Sequence, residues 1–377
     1  MNNKLIIACA GAGKTTYLIK TSLNLKNKKI LITTFTDENT ESIKNKFIKN
    51  VKAIPPNVHV QPWFSFIIEH CIKPFQGKLL QEDINGLLLV NGQSGLRYYN
   101  GKIPIYWPES NLKKHYFSNQ MEIYSDKIAK FAIKCNAINN GLVFQRIKSL
   151  YDYIFIDEIQ DMAGYDFELI KMFMEYGIAI IMVGDPRQST FKTHYDGKYK
   201  KYNGYNIKNF FHDNCLKICQ IDETSLNTTH RNNEEIINYA NLLYPEFIPA
   251  KTDFKETNNL TGVFFIKRKD VDEFLKTVNS TIIRYNKNYF NENGNVYNIG
   301  KSKGLEFDNS LLFLTQNMID WFFDQTIELK ASTRSALYVA LTRAKFSCGI
   351  VIDNNLYDKK IEIKKKINSI EIYKIKQ

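Results

Sequence analysis

The sequence of 377 residues contains no apolar run approaching 18 residues, so it offers no candidate membrane-spanning helix and reads as soluble. It also lacks a basic-then-apolar leader. Its first apolar stretch, Leu5–Ala8, runs straight into a loop of small residues, and the expected location is the cytosol. Cysteine is sparse and unframed: Cys9, Cys71, Cys135, Cys215, Cys219 and Cys348 do not make a disulfide scaffold, and reduced thiols are expected. Only His212, Cys215 and Cys219 fall close together. Their spacing matches no common zinc signature, and CLKICQI reads as a buried strand with both thiols on one face, so core thiols are expected there. Acidic residues are in deficit, 39 against 51 Lys and Arg, for a formal charge of +12. That excess suits a polyanionic partner, although a composition crowded with Lys, Asn and Ile produces the same excess without selection for binding. The length accommodates two or three domains.

What the sequence does have is KLIIACAGAGKTT, Lys4 to Thr16. A short apolar strand empties into a small-residue loop (Ala8, Ala10, Gly11, Ala12, Gly13), and a helix should start at Lys14. Strand, loop and helix N-terminus together point backbone N–H groups and the positive helix end at one anion. Residues Ala10 to Thr16 would cradle the phosphates, Lys14 reaching the β- and γ-phosphates and the Thr15 hydroxyl holding Mg²⁺. The loop departs from GxxxxGKT only at Ala8.

Downstream, Ile30–Thr34 reads as a second strand with Phe35 at its mouth and an amphipathic helix after it; an aromatic there could stack on a base. A second aromatic cluster, PWFSF, spans Pro62 to Phe66. From Glu69 to Leu150 the strand–helix alternation breaks down, as expected of an inserted subdomain. It carries a hairpin, YYNGKIPIYW, turning at Asn100–Gly101, and a basic aromatic patch at Lys113, Lys114, His115 and Tyr116. Alternation resumes with the strand Tyr153–Ile156, whose end presents Asp157 and Glu158. One carboxylate suits orienting hydrated Mg²⁺, the other taking a proton from an attacking water. The strand Ile178–Val183 delivers GDPRQSTF, placing Gln188 to sense a γ-phosphate. Arg231 precedes a helix, and apolar stretches at Val263–Ile266, Thr281–Tyr285 and Val296–Ile299 begin a second sheet. Finally come GKSKGLEFD (Gly300–Asp308), the helix LYVALTRAK (Leu337–Lys345) and the strand Cys348–Ile352. Arg343, read as mid-helix, is costly to leave unpaired, and a γ-phosphate would satisfy it as an arginine finger does. Hydrolysis of a nucleoside triphosphate is the leading chemistry. A small-molecule kinase would explain neither Arg343 nor GLEFD.

The blocks ACAGAGKTT, TTFTDENT, PWFSF, FIDEIQD, VGDPRQS, THRNN, GKSKGLEFD and LYVALTRAK, in that order, resemble superfamily 1 helicases of the UvrD, Rep and PcrA type. The resemblance implies an α/β fold of two RecA-like P-loop NTPase domains. Residues 1–68 and 151–225 would form domain 1A, 69–150 a short 1B-like insert and 226–377 domain 2A, with a missing or vestigial 2B subdomain. It also implies ATP in the cleft between the domains and single-stranded DNA across their top. Lys14 and Thr15 would bind phosphate and Mg²⁺, Asp157 complete the metal shell and Glu158 act as general base. Gln188, Arg231 and Arg343 would contact the γ-phosphate, Glu306, after Gly304, would approach the ribose, and His230 would lie by the base. Thr34, Phe35, Trp63, Phe64 and Phe191 would lie along the DNA path, with His194 or Tyr195 substituting for a stacking Trp whose place Thr193 takes.

Departures from the family pattern bear on specificity. The family usually has a Gln-containing, adenine-reading motif upstream of the phosphate loop, where this sequence has thirteen residues before Lys14, so adenine specificity is not an expectation here. His230 stands where relatives have Tyr or Phe, and Pro62 and Phe64 replace a polar Thr and His. A compact chain with DPRQS, an IKPF segment and a Lys-rich tail is also similar to the helicase-like subunit of Gabija-type bacterial defence systems, which implies a nuclease partner. Two functions follow: a motor moving 3′ to 5′ on single-stranded DNA, or an ATP-dependent sensor of DNA ends or single strands that licenses a partner enzyme.

Overall fold

The computed structural model describes residues 3–190, 197–256, 258–288, 295–355 and 371–372. The expectations at Phe191, Thr193, His194 and Tyr195 lie outside the described residues. The chain divides into two compact units: Met1–Ile7, Lys14–Pro186 and Phe191–Asp222 make one, and Ala8–Gly13, Arg187–Thr190 and Glu223–Gln377 the other.

The first unit is built on six parallel strands: β1 (Lys4–Ile7), β2 (Ile30–Thr34), β3 (Val58–Pro62), β4 (Tyr153–Ile156), β5 (Ala179–Gly184) and β6 (Gln220–Asp222), in the order β6-β1-β5-β4-β2-β3. The central strands are continuous apolar runs because helices cover both sheet faces; Leu5, Ile6, Leu31, Ile32, Phe155 and Ile156 are fully enclosed. Helix α1 (Lys14–Asn24) follows β1, starting where the GKT sequence predicts. Helix α2 (Asp37–Val51) is capped by Thr36, whose Oγ1 accepts from the Asn39 N–H at 3.1 Å, and opens with Asp37 and Glu38, which complement the helix dipole. In register, Ile156 lies opposite Met182 and Thr33, so β2, β4 and β5 end together and present Thr34, Asp157, Glu158 and Asp185 on one sheet edge.

Between β3 and β4 runs the insert, which packs into the first unit rather than forming a unit of its own. It begins with a π-helical turn, Ile67–Ile72, and ends with helices α3 (Ile128–Ile138) and α4 (Leu142–Leu150). The hairpin is present, Leu96–Asn100 against Ile103–Tyr106, but Asn100 pairs with Ile103, so the turn residues are Gly101 and Lys102. Positive φ at Gly101 (+61°) and not at Lys102 is the two-residue arrangement that matches strand twist with glycine first.

The second unit holds another parallel sheet: β7 (Gly262–Lys267), β8 (Thr281–Arg284), β9 (Val296–Asn298), β10 (Phe307–Phe313), β11 (Ala344–Ile352) and β12 (Glu371–Ile372), ordered β9-β8-β10-β11-β7-β12. Helices α5 (Glu234–Leu243) and α6 (Ala331–Leu341) belong to it, and Phe264, Ile266, Phe274, Leu311 and Phe313 centre one of its cores. The expected α/β class with parallel sheets flanked by helices is therefore met.

Two expectations are corrected. Cys215–Ile221 is not a strand: Cys215 closes the helix Ile207–Cys215, and only Gln220–Asp222 is extended. Both thiols are nonetheless buried, which pushes each up to about 12. His212 faces outward beside Asp213, and among the described residues no group of three or more His, Cys, Asp or Glu could hold a metal ion. In LYVALTRAK the helix ends at Leu341, so Arg343 lies in the link to β11, not in mid-helix. Among the described residues no helix is long and apolar enough to cross a membrane.

Candidate nucleotide site

In the first unit, α1 and the end of β4 bring four predicted residues together. Lys14 Nζ lies 3.6 Å from Glu158 Oε1, and Thr15 Oγ1 donates to Asp157 Oδ2 at 2.8 Å. The Asp157 N–H donates to Thr33 O at 2.9 Å, extending the β4 ladder by one residue, and its Oδ1 accepts from the Glu158 N–H at 3.0 Å. Glu158 turns the chain at φ +55°, a left-handed conformation uncommon outside glycine, before a short turn closed by the Asp161 N–H on Glu158 O.

Sequence reasoning missed Gln160, although the amide stood in plain view in FIDEIQD. Its Nε2 donates to Glu158 Oε2, and its Oε1 accepts from the Asp185 N–H at 3.1 Å, so it ties the carboxylate to the end of β5. The preceding residue must be glycine for this to fit. A Cβ on Gly184 would stand 2.4 Å from Gln160 Oε1 and 2.7 Å from Ile159 Cγ2.

Asp157 is 3% exposed, and burial pushes its carboxyl up to about 6, the Glu158 charge adding to the effect while Lys14 and Thr15 oppose it. A desolvated carboxylate beside a hydroxyl, with a second carboxylate next to it, is a set of hard oxygen donors that fits Mg²⁺. Lys14, neutralised here by Glu158, fits an incoming phosphate as its alternative partner.

The second unit holds the loop Ala8–Gly13 and the other predicted contacts. Gly11, at φ +74°, is pressed so close that a Cβ would meet Thr229 Oγ1 at 2.5 Å and Arg231 Cβ at 2.7 Å. Its carbonyl accepts from the His230 N–H at 3.1 Å. Two further anchors escaped the sequence reading. Buried Arg187 donates from Nη2 to Ala8 O at 2.7 Å and lies 5.3 Å from the Phe247 ring centre and 5.4 Å from that of Tyr338; the Ala10 N–H donates to the Tyr338 hydroxyl at 3.3 Å. The signals were a basic residue inside the DPRQ turn and the Tyr of LYVALTRAK.

Arg343 is enclosed and donates to Gln188 Oε1 at 3.1 Å, Leu305 O at 3.1 Å and Val339 O at 3.2 Å. The guanidinium expected to await an anion thus already has neutral acceptors, Gln188 among them. Arg231 Nε donates to Glu306 Oε2 at 2.9 Å, and Lys345 Nζ lies 3.8 Å from Glu306 Oε1. Burial pushes the Glu306 carboxyl up, but Arg231 and Lys345 outweigh it and hold the group below the usual range. The exposed His230 ring pairs with Asp253 at 2.8 Å.

The predicted nucleic-acid residues divide. Phe35 is half-buried and meets Phe64 edge-on at 5.4 Å, while Phe64 is itself buried. Trp63 is corrected: it is 0% exposed and donates from Nε1 to Asp166 Oδ1 at 2.8 Å, so it serves the core and offers no free stacking face. Thr34 is enclosed too, its hydroxyl without a hydrogen-bond partner among the described residues.

Residues 110–194 match the family described as UvrD/REP helicase N-terminal domain. The chain is 27% identical over 276 residues to the Gabija protein GajB of Bacillus cereus (strain VD045), the match covering 70% of this chain and 50% of that one. It therefore spans about half the length of that relative. Solved structures also match, two of which follow. "The structure of PRRSV helicase" has 14% identity and a TM-score of 0.45 over 98% of this chain and 55% of that one. The "Complex structure of Arterivirus nonstructural protein 10 (helicase) with DNA" has 12% identity and a TM-score of 0.46 over 96% and 63%. By its motif blocks, the family match over residues 110–194 and its relative, the chain is similar to UvrD-like superfamily 1 helicases and to the helicase-like Gabija subunit.

Proposed function

We propose that this chain is a nucleoside triphosphate hydrolase of the UvrD-like helicase kind, using ATP and Mg²⁺ and coupling hydrolysis to 3′-to-5′ movement on single-stranded DNA. The observation that carries the reading is the Lys14–Glu158 and Thr15–Asp157 pairing at the junction of α1 and β4. Thr15 and Asp157 would hold the metal ion, which when bound neutralises phosphate charge. Lys14 would leave Glu158 for the phosphates. Glu158, released from its ion pair and still held by Gln160, is then free to take the proton of the attacking water. Gln188, Arg231 and Arg343 would stabilise charge on the transferring phosphoryl group, the neutral acceptors of Arg343 being exchanged for anionic oxygen. In family terms, residues 1–68 with 151–225 act as domain 1A, 69–150 as a 1B-like insert and 226–377 as domain 2A.

The similarity to GajB favours a second reading: an ATP-dependent sensor of DNA ends or single strands that licenses a nuclease partner in a cytoplasmic anti-phage system, with little unwinding of its own. Hydrolysis of ATP and of GTP by the purified chain, with and without single-stranded DNA, separates the two. Strong stimulation by single strands supports the motor, and low turnover throughout supports the partner-dependent sensor. Glu158→Gln should abolish turnover while retaining nucleotide and DNA binding; normal turnover in that variant would refute the assignment of the base.

A further inference from the structure

The hairpin in the insert has apolar side chains on both faces. Tyr98 with Ile105 and Asn100 with Ile103 share one face, and Tyr99 with Pro104 and Leu96 with Tyr106 share the other, the irregularity at Arg97 bringing Leu96 into phase. A strand pair that serves only its own fold buries one face. Here Tyr98 is 51% exposed, Tyr99 64% and Ile103 65%, two on one face and one on the other. Apolar area concentrated in this way on both sides of a protruding element marks a binding surface.

Charge identifies the ligand. From Leu96 to Trp107 the sequence carries Arg97 and Lys102 and no Asp or Glu. Arg97 Cζ lies 4.6 Å from the centre of the Trp107 ring and 5.6 Å from that of Tyr98, and Lys114 Nζ lies 4.6 Å from the Trp107 centre. Three neighbouring cations of the insert are neutralised: Lys113 pairs with Glu82, and Lys130 and Lys134 pair with Glu109 at 2.9 and 3.0 Å. Among the described residues Arg97, Lys102 and Lys114 have no acidic partner. A protein-docking face keeps its core poor in unneutralised charge. Exposed aromatic rings interleaved with unneutralised cations instead match stacked bases and the phosphates between them.

We propose that this hairpin, with Trp107 and Lys114 at its base, is a contact site for single-stranded nucleic acid, separate from the residues of the helicase-like blocks. Bases stack on Tyr98 and Tyr99, while Arg97, Lys102 and Lys114 take phosphates. The inference rests on the nucleic-acid reading given above.

The test is fluorescence anisotropy of the full chain with a labelled oligothymidylate of about 20 nucleotides, at about 50 and about 200 mM salt. Tyr98→Ala with Tyr99→Ala should weaken binding about tenfold or more. Arg97→Ala with Lys114→Ala should lower the slope of log affinity against log salt by about 1.4, two phosphate contacts at about 0.7 each. Lys113→Ala, which removes a paired lysine, should leave the slope unchanged, and ATP turnover without DNA should be unaltered in all three variants. Photocrosslinking of wild-type chain to a bromodeoxyuridine-substituted strand gives a readout independent of variant folding, with adducts expected between Leu96 and Trp107. If wild-type chain binds single strands but the variants match it and no adduct maps to the hairpin, this inference fails alone. If wild-type chain binds no single strand, the nucleic-acid reading falls with it. If the tyrosine variants instead abolish self-association in sedimentation and leave DNA affinity intact, the hairpin is a protein-docking surface and the proposal is overturned.

Discussion

Replacing Asp157 with Asn should stabilise the protein while destroying its hydrolytic activity, and the gain should depend on pH in a defined direction. The Asp157 carboxyl has an ordinary value of 3.8 and stands at about 6 in the fold, because burial disfavours its charged form and Glu158 adds repulsion. Between those values the folded chain keeps a proton that the unfolded chain has lost, so stability falls as pH rises through the window and the full penalty applies above it. About two pH units at 1.36 kcal/mol each amounts to about 3 kcal/mol at pH 7. Asparagine has no charge to desolvate and the same shape. Its Oδ1 can accept from the Glu158 N–H, and its Nδ2 can donate to Thr15 Oγ1 once that hydroxyl reverses its role, so both contacts survive. The melting temperatures of Asp157→Asn and wild type should therefore nearly coincide near pH 4 and diverge by pH 7, the variant melting higher by on the order of 5–10 °C. Adding Mg²⁺ with nucleotide should narrow the gap by stabilising wild type alone. A gap that stays constant with pH, or a variant less stable than wild type at pH 7, would refute the argument that Asp157 is held charged at a cost in stability for the sake of a cation.

Gly184→Ala should cost about 1–3 kcal/mol and depress kcat, because its Cβ must displace Gln160 and Ile159 and thereby loosen Glu158; unchanged melting and turnover would show that Gln160 does not position the base. Tyr338→Phe keeps the ring beside Arg187 but frees the Ala10 N–H. Both groups are buried, so the unpaired N–H should cost about 1–3 kcal/mol in melting, and the KM for nucleotide should change more than kcat, as measured by steady-state hydrolysis. Equal KM values would show that the hydroxyl has no influence on the loop.

How far this could be read from sequence follows from where the information lies along the chain. Parallel strands covered on both faces are continuous apolar runs, so Ile30–Thr34 and Tyr153–Ile156 could be bounded to the residue, and the GKT sequence fixed the start of α1. Cys215–Ile221 failed because a short apolar run does not distinguish a buried strand from the last turn of a helix. The end of α6 was invisible for a related reason: no Gly or Pro marks it. Thr342 follows its last residue, the hydroxyl donating to Tyr338 O at 2.8 Å, and Arg343 lies beyond it.

The harder losses come from partners distant in sequence. Trp63 reads as part of a DNA path until Asp166, 103 positions away, takes its indole N–H and the core closes over it. Gln160 and Gly184 lie on separate strand ends, and each explains the other only when β4 and β5 stand side by side. The chemistry of the site has the same character. Asp157 and Glu158 are adjacent and read as a pair, but their surroundings are set by groups elsewhere: Thr15 and burial enclose one, while Lys14 and Gln160 hold the other. Adjacent carboxylates of one sign in a buried setting repel, and the fold resolves that conflict by raising one proton affinity and pairing the other with a lysine. A phosphate that draws Lys14 away returns the full negative charge to Glu158. On the proposed reading, Glu158 would then become available as a base only when phosphate draws Lys14 away, a coupling that no single block of the sequence contains.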